Sequence, residues 1–301
     1  MSKYKKVSDF CYELFRLAEL PLYNHKFSNK IYSNFQKLFL LVYKQFRKFT
    51  YEETMTDLED NITLKAYLGF KKLPHYTTLV KFGKSLPLKI LEKLVLCFKK
   101  LISKPKKVAI DSTGITLDNA SPHYCKRIGL PTKKRPFLKT TFVVDIERYF
   151  ILLVKQRKRS RHDVIDAEPL LKKLFQNYKD IEIFYADRGY DKEQIFKKCV
   201  DNNTYPMILQ KNMLLPKHKK KGACRKQFVD YFDYGEYLQR NKIETLNSMF
   251  KKRFSNNIKS RNNKMQQIEL LTRVIAYNID RLLRTIKKVI LIFIKIIRVS
   301  Y

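Results

Sequence analysis

Two short apolar runs that each end in an aspartate constrain the fold more than any other feature of this chain. The run VAI leads into Asp111, and the run IEIFYA leads into Asp187. Apolar runs of this length, bounded by turn residues, are typical of buried strands. A glycine follows each aspartate, Gly114 or Gly189, and is expected to form the turn after the strand. The sequence therefore predicts two buried strands that each carry a carboxylate at the C-terminal end.

A third acidic residue, Glu244, lies in a segment whose functional side chains recur at helical spacing. This segment, YLQRNKIETLNSMFK, begins at Tyr237 and ends at Lys251. At about 100° per residue, four side chains fall within roughly 60° of arc on one continuous helix, namely Tyr237, Arg240, Glu244 and Lys251. A separate apolar stripe lies beside them, formed by Ile243, Leu246, Phe250 and Phe254. The pattern predicts a helix that packs by one face and forms the wall of an active site with another.

Together these pieces resemble the DDE transposases of prokaryotic insertion sequences, in the broad group that includes the IS-four and IS-five families. The matching pieces are the first strand with Asp111, the D-x-G-Y element that begins at Asp187, and Y-x2-R-x3-E-x6-K, which runs from Tyr237 without a gap. One D-x-G-Y alone would be weak evidence, but three pieces in the right order are specific. The resemblance covers residues 105–285 well, and the N-terminal third only through LPHYTTLVKF at 73–82.

The predicted order of elements from residue 105 onward is three strands, helix, strand, helix, strand and helix. Strands are predicted at 137–146, 150–156 and 205–210, helices at 164–178 and about 191–202, and a loop rich in Pro and basic residues at 115–136. This order matches the ribonuclease-H-like fold, an α/β fold with a mixed sheet and helices on both faces. In that fold the first and fourth strands are neighbours, so Asp111 and Asp187 are expected side by side. Residues 105–301 are therefore predicted to form the catalytic domain, which ends in a long helix at 262–294.

Residues 1–104 are predicted to form a separate helical domain that binds DNA. A long amphipathic helix is expected at 31–49, with shorter helices at 51–60 and 62–68 and an amphipathic stretch at 77–85. Short helices separated by tight turns are consistent with a helix-turn-helix-like DNA reader. The alternative is a helical bundle that only packs on the catalytic domain.

The resemblance implies that Asp111, Asp187 and Glu244 are the catalytic residues. They would bind two Mg²⁺ ions, for which Mn²⁺ can substitute, with Asp111 bridging both ions. Phosphodiester chemistry needs an attacking oxygen, a stabilised leaving oxygen and neutralised phosphate charge, and two ions about 4 Å apart serve all three needs. In the first step water would cut the transposon end and free a 3′-OH. In the second step that 3′-OH would attack target DNA.

Further residues are expected to contact DNA. The resemblance implies this role for Tyr237, Arg240 and Lys251, although Arg240 could instead form only a helical ion pair with Glu244. The basic run KQRKRSR adds Lys155, Arg157, Lys158, Arg159 and Arg161. Two more basic runs frame the site, at Lys133–Arg135 and at Lys217–Lys221 with Arg225 and Lys226. The alternative for all three runs is a solvated, mobile charged loop.

Two other acidic residues compete for a place in the site. Asp163 comes at the start of a predicted helix, where relatives often have an acidic residue and where N-capping explains it equally well. Asp191 is predicted to cap the helix that follows it.

Composition excludes several classes of protein. The net charge is +35, from 63 basic and 28 acidic residues, which suits a polyanionic partner better than a small substrate. A Lys-biased proteome would explain part of this charge. The five cysteines contain no CxxC and indicate neither a disulfide framework nor a zinc site. The apolar run VILIFI at 289–294 is far shorter than a membrane span. A cytoplasmic, nucleoid-associated prokaryotic protein without a membrane partner is expected.

Three functions remain open from the sequence. The first is an active cut-and-paste transposase that acts on double-stranded DNA, both the terminal inverted repeats and the target, as a homodimer on DNA. The second is a decayed or domesticated DNA-binding protein without catalysis. The third is a nuclease of the same fold that cuts without strand transfer, which the Y-x2-R-x3-E-x6-K element disfavours.

Overall fold

The computed structural model describes residues 3–24, 26–27, 29–117, 126–127, 137–158, 162–211, 213, 215–219 and 221–299, with backbone only from 287. The chain forms two compact units. One combines the chain up to Phe98 with the chain from Asn262 onward, and the other spans Lys99–Arg261. The C-terminal helix thus belongs to the unit of the N-terminal helices. The domain boundary predicted between residues 104 and 105 stays a prediction.

Two helices of the N-terminal unit begin with a capping box. Ser33 Oγ accepts the backbone N–H of Gln36, and the Gln36 side chain accepts the N–H of Ser33. Thr50 and Glu53 repeat this capping box one helix later. The helices are α1 (Lys3–Leu17), α2 (Asn34–Arg47), α3 (Tyr51–Asp60), α4 (Ile62–Tyr67), α5 (Tyr76–Ser85) and α6 (Leu88–Cys97). The helices predicted at 31–49, 51–60 and 62–68 are confirmed, whereas α1 and α6 were not predicted.

The central unit is built around a mixed sheet with the predicted order of elements. Its strands are β1 (Lys107–Leu117), β2 (Phe137–Asp145), β3 (Phe150–Arg157), β4 (Ile183–Ala186), β5 (Tyr205–Ile208) and β6 (Asn257–Ile258). Its helices are α7 (Val164–Asn177), α8 (Glu193–Val200), α9 (Ala223–Gln227), α10 (Tyr234–Tyr237) and α11 (Asn241–Phe254). The strand order is β3-β2-β1-β4-β5, with β6 beside the end of β1. This is the ribonuclease-H-like arrangement that the sequence predicts.

The pairing of β1 determines where the first two aspartates lie. β1 runs antiparallel to β2 and parallel to β4, with Val108 opposite Phe184. Residues Val108–Ile110 are fully buried, as the apolar run predicts. The expectation that the first and fourth strands are neighbours is confirmed. Asp111 and Asp187 therefore lie at the same edge of the sheet.

The prediction that the first strand ends at Asp111 is wrong, because β1 continues to Leu117. Ile115 and Leu117 are buried, and pairing with β2 extends to Thr116, so the strand gains core contacts beyond the aspartate. Gly114 does not form a turn. A Cβ at Gly114 would lie 3.2 Å from the Phe137 ring, so glycine leaves room for that ring on the sheet.

The prediction of one continuous helix from Tyr237 to Lys251 is also wrong. α10 ends at Tyr237, a 3₁₀ turn covers Leu238–Arg240, and α11 begins at Asn241. The two helices are anchored separately. In α10, the Glu236 carboxylate accepts hydrogen bonds from Lys107 Nζ, at 2.6 Å, and from the Tyr185 hydroxyl. In α11, the apolar stripe packs on the sheet. The tighter turn joins two anchored segments, so the arc computed for a uniform helix does not apply.

The long C-terminal helix predicted at 262–294 is confirmed as α12 (Asn263–Val299). Its expected apolar face is buried, namely Met265, Ile268, Leu271, Ile275, Ile279 and Leu282. Glu269 and Arg273 form a buried ion pair one turn apart, with 2.5 Å between Oε1 and Nη2. Throughout the described ranges, each helix is too short or too polar to cross a bilayer.

Candidate active site

Asp111 is a half-buried carboxylate in the middle of β1. It accepts the backbone N–H of Ser112 and, at 3.0 Å from Oδ2, the side-chain Nδ2 of Asn247. Ser112 Oγ lies 2.7 Å from Thr141 Oγ1 and 3.2 Å from the hydroxyl of the buried Tyr190. Asp111 is thus held by its own strand and by helix α11, and the next residue joins β1 to the D-x-G-Y turn.

Asp187 follows β4 directly and begins a 3₁₀ turn at Arg188–Tyr190. Its Oδ1 accepts the backbone N–H of Gly189 at 2.8 Å. A Cβ on Gly189 would lie 2.9 Å from the same Oδ1, a distance that real Cβ atoms do not tolerate. The glycine of D-x-G-Y therefore allows the backbone to approach and orient the second carboxylate, as the predicted turn requires.

Glu244 lies in the first turn of α11, which is fixed by its buried stripe. Phe250 packs edge-on against Phe142 of β2 with ring centroids 5.4 Å apart. The Glu244 side chain is 57% exposed, and its Oε1 lies 2.6 Å from Arg240 Nη2. The ion pair considered for Arg240 is therefore present.

The electrostatics show that these groups interact across the site. Burial raises the pKa of Asp111 to about 6, and the nearby Asp187 and Glu244 add to the increase. The hydrogen bond from the Ser112 N–H and the charge of Arg240 lower this pKa and so oppose the shift. Burial also lowers the pKa of Lys251, while Asp111 opposes that shift. Three carboxylates and two cations thus share one electrostatic environment, in which the Asp111 charge is costly without compensation.

The donor set fits a hard divalent cation by its chemistry. Carboxylate oxygens are the ligands that Mg²⁺ and Mn²⁺ prefer, and a cation would compensate the charge of Asp111, whose pKa is raised chiefly by burial. Within the described residues, however, no three His, Cys, Asp or Glu side chains lie close enough together to hold an ion. In this arrangement the Glu244 carboxylate is held by Arg240.

Tyr237 is largely buried rather than displayed to solvent, at 8% exposure. Its ring packs against Phe232 and Tyr234, with centroids 5.3 and 6.1 Å away, and the Arg240 guanidinium lies 5.9 Å from its centroid. The DNA contact expected of Tyr237 stays a prediction. What the structure shows is a ring that supports Arg240.

A cleft of about 1000 Å³ is lined by residues that follow the two aspartates in the chain. Ser112 and Gly189 line it on the side of the site. Lys192 and Lys211 line another part and are exposed. Asp163 and Asp191 line the cleft as well, so it carries charges of both signs.

The basic run at the end of β3 is divided by the structure. Lys155 and Lys158 are exposed, whereas Arg157 pairs with the buried Asp166. Arg159 and Arg161 lie outside the described residues, as do Lys133–Arg135 and part of Lys217–Lys221. DNA contact by this run stays a prediction, and Arg157 already has a structural partner.

The two competing acidic residues have other partners. Asp163 makes no side-chain capping bond and pairs with the buried Lys139, so N-capping does not explain it. Asp191 does not cap α8, which begins two residues later. Asp191 Oδ2 accepts hydrogen bonds from the backbone N–H of Lys211, at 2.8 Å, and from Arg225 Nη2, at 2.7 Å. These bonds tie the segment after β5 to the D-x-G-Y turn.

Asn247 is the residue at this site that the sequence analysis missed. It is 8% exposed and bonds directly to Asp111. Its sequence signal was a polar residue four positions after Ile243 and three before Phe250, within an otherwise apolar stripe. Such a position is expected to be apolar unless the polar group has a partner.

The comparison with protein families matches residues 102–279 to the transposase DDE domain. The chain belongs to this family. The match spans the sheet, the three carboxylates and the first part of α12. It confirms the resemblance at the level of DDE transposases.

Among solved structures, this DDE-domain chain is similar to a piggyBac transposase, seen by cryo-EM in a synaptic complex with hairpin DNA. The TM-score is 0.50 at 12% identity, over 91% of this chain and 74% of that chain. At this identity the likeness concerns the fold, and it agrees with the ribonuclease-H-like sheet. No curated protein sequence matches the chain.

Proposed function

We propose that this chain is a transposase that cuts DNA at transposon ends and transfers the freed 3′-OH into target DNA. The observation that carries the proposal is the position of Asp111 and Asp187 on neighbouring parallel strands, with Asp111 bonded to the helix that bears Glu244. In a chain of the DDE family, this is where the acidic set is expected. An origin in a prokaryotic insertion sequence belongs to the same proposal.

Asp111, Asp187 and Glu244 would hold two Mg²⁺ ions, or Mn²⁺ in their place. When bound, the ions supply activation of the attacking oxygen and stabilisation of the leaving oxygen. The chain supplies the rest. The backbone of Gly189 orients Asp187, Asn247 holds Asp111, and Arg240 holds Glu244 until a cation competes for that carboxylate.

Positive charge positions the DNA in this proposal. Lys251 is half-buried close to Asp111, so it would bind a phosphate near the scissile bond. Lys155 and Lys158 are exposed at the end of β3 and would contact the DNA backbone farther from the scissile bond. With a net charge of +35, non-specific affinity is expected to be high and to depend steeply on salt. Simultaneous handling of two transposon ends implies a homodimer on DNA.

A second candidate is a DNA-binding protein without catalysis. One observation favours it: in the part of the chain that the structure describes, the carboxylates do not form a three-residue metal cluster, and Glu244 is paired with Arg240. The two candidates differ in whether a divalent cation displaces Arg240 from Glu244.

Cleavage of a labelled duplex that carries the element's own end tests the proposal. Wild type, Glu244→Gln and the control Glu168→Gln would be compared with Mg²⁺, Mn²⁺ or EDTA. Glu168 is exposed on α7 and carries the same charge change away from the site. Metal-dependent nicking at the end by wild type and the control, absent in Glu244→Gln, is the expected result. Specific binding without cleavage by any of the three proteins would overturn the enzyme and favour the second candidate.

A further inference from the structure

Asn247 interrupts the buried stripe of α11. Ile243, Leu246 and Phe250 are at most 1% exposed, and Asn247 lies among them at 8%. A buried carboxamide loses its bonds to water and destabilises the fold unless protein groups replace them. Packing alone would favour a leucine of similar size here. The amide therefore needs an explanation beyond the core.

Only one half of the Asn247 carboxamide has a partner among the described residues. Nδ2 donates to Asp111 Oδ2 at 3.0 Å, whereas the buried Oδ1 has no hydrogen-bond partner. The direction of the bond follows from chemistry, since an ionised carboxylate only accepts and the NH₂ group must face it. The chain thus tolerates an unsatisfied carbonyl in order to place a donor at Asp111.

The bond joins two elements that each carry a carboxylate of the site. Asp111 is in β1, and Asn247 lies one turn after Glu244 on α11, with 136 positions between the bonded residues. A fixed contact between β1 and α11 at this point constrains the separation of Asp111 and Glu244. It also occupies one Asp111 oxygen from a single side, which orients the carboxylate plane.

We infer that Asn247 is a positioning residue: its amide orients the Asp111 carboxylate for divalent cations and ties β1 to the helix that bears Glu244. The inference rests on the proposed function, because it presumes that these carboxylates bind metal. Partners that orient metal ligands typically alter metal affinity 10- to 100-fold when removed. A similar loss is expected here, without loss of the fold.

Mn²⁺ titration of the full-length protein, followed by the electron paramagnetic resonance of free Mn²⁺, separates positioning from packing. Asn247→Leu keeps the volume and removes the donor. We expect Mn²⁺ affinity to fall about 10- to 100-fold, with an unfolding temperature equal to or above that of wild type. Asn247→Ser stays polar but is too short to reach Asp111, so it should show the same loss of Mn²⁺ affinity. This variant replaces Asn247→Leu in the test if the leucine variant does not fold. Asn202→Leu, at an exposed position, is the matched control.

Asp111→Asn in the same titration distinguishes failure of the positioning role of Asn247 from failure of the metal site itself. If Asp111→Asn weakens Mn²⁺ binding but both Asn247 variants bind like wild type, the positioning role is overturned and the proposed function stands. If Asp111→Asn binds Mn²⁺ like wild type, the metal site itself is absent, and both proposals fall. Loss of affinity in the Asp111 and Asn247 variants, with the Asn202 control unchanged, supports both.

Discussion

Arg240 Nη2 lies 2.6 Å from Glu244 Oε1, one helical turn away, at the point where a 3₁₀ turn passes into α11. The guanidinium also lies over the ring of Tyr237 and acts on the charge of Asp111. In the absence of a cation, Arg240 therefore compensates the acidic set. This relationship links the Y-x2-R-x3-E part of the motif to the metal chemistry proposed for the site.

Removal of Arg240 should separate metal binding from catalysis. In Arg240→Gln the competing cation is gone, so Mn²⁺ is expected to bind the DNA-free protein more tightly than in wild type. Cleavage should nevertheless fall at least tenfold, because Glu244 and the phosphate lose their orientation. Stability should fall by more than the few tenths of a kcal/mol typical of an exposed i, i+4 pair, because the Arg240 side chain is only 17% exposed and packs on Tyr237. Weaker Mn²⁺ binding in this variant would contradict a competing role for Arg240.

The raised pKa of Asp111 predicts a pH-dependent gain of stability in Asp111→Asn. Burial and the neighbouring carboxylates raise this pKa from 3.8 to about 6, so the folded state binds the proton more tightly than the unfolded chain. The charged form therefore destabilises the metal-free fold progressively as pH rises from about 4 through about 6, and fully above that. Asparagine avoids this cost.

Urea unfolding in EDTA at pH 8 and pH 4.5 measures that effect. Asp111→Asn should exceed wild type by about 1–3 kcal/mol at pH 8, since one pKa unit corresponds to about 1.4 kcal/mol. The difference should shrink towards zero at pH 4.5. A variant that is less stable than wild type at pH 8 would show that the charge of Asp111 is compensated within the fold.

Lys251 should contribute one phosphate contact and a catalytic effect. In Lys251→Gln we expect cleavage to fall at least tenfold and the slope of log K against log salt to decrease by about 0.9. Lys172→Gln, an exposed site on α7, is the matched control for a lost charge. If the salt slope of Lys251→Gln equals that of wild type, Lys251 serves only to compensate Asp111.

The close approach of Gly189 to Asp187 predicts a local effect of Gly189→Ala. The new Cβ would meet Oδ1 at 2.9 Å, so the carboxylate must rotate away from the backbone N–H. We expect a marked loss of cleavage and of Mn²⁺ affinity with little change in unfolding temperature, because Gly189 is exposed. Full activity in this variant would mean that the orientation of Asp187 in the metal-free state is irrelevant to its function.

The sequence predicted much of the fold because its strands are apolar runs with clear ends. The neighbouring positions of β1 and β4 followed from the order of elements, and so did the edge that carries Asp111 and Asp187. The extension of β1 past Gly114 was missed, because it depends on pairing with β2, which a local pattern does not show. The 3₁₀ turn at Leu238–Arg240 was missed for the same reason, since tertiary contacts of Glu236 hold α10 just before that turn.

Other features had weak local signals. The buried positions of α1, which include Val7, Cys11 and Leu14, do recur at helical spacing, but its first turn has no acidic residue. Asn247 was overlooked because apolar helix faces commonly contain a single polar residue that has no special function. Only the bond to a residue 136 positions away shows what it contacts.

Iron-directed cleavage of the polypeptide tests the central claim most directly. Fe²⁺ loaded in place of Mg²⁺, with ascorbate and peroxide, cuts the backbone close to wherever the ion is bound. We predict cuts clustered around residues 111, 187 and 244, which excess Mg²⁺ suppresses and Asp111→Asn abolishes. Cuts elsewhere, or a pattern unchanged in Asp111→Asn, would contradict a metal site formed by these three carboxylates.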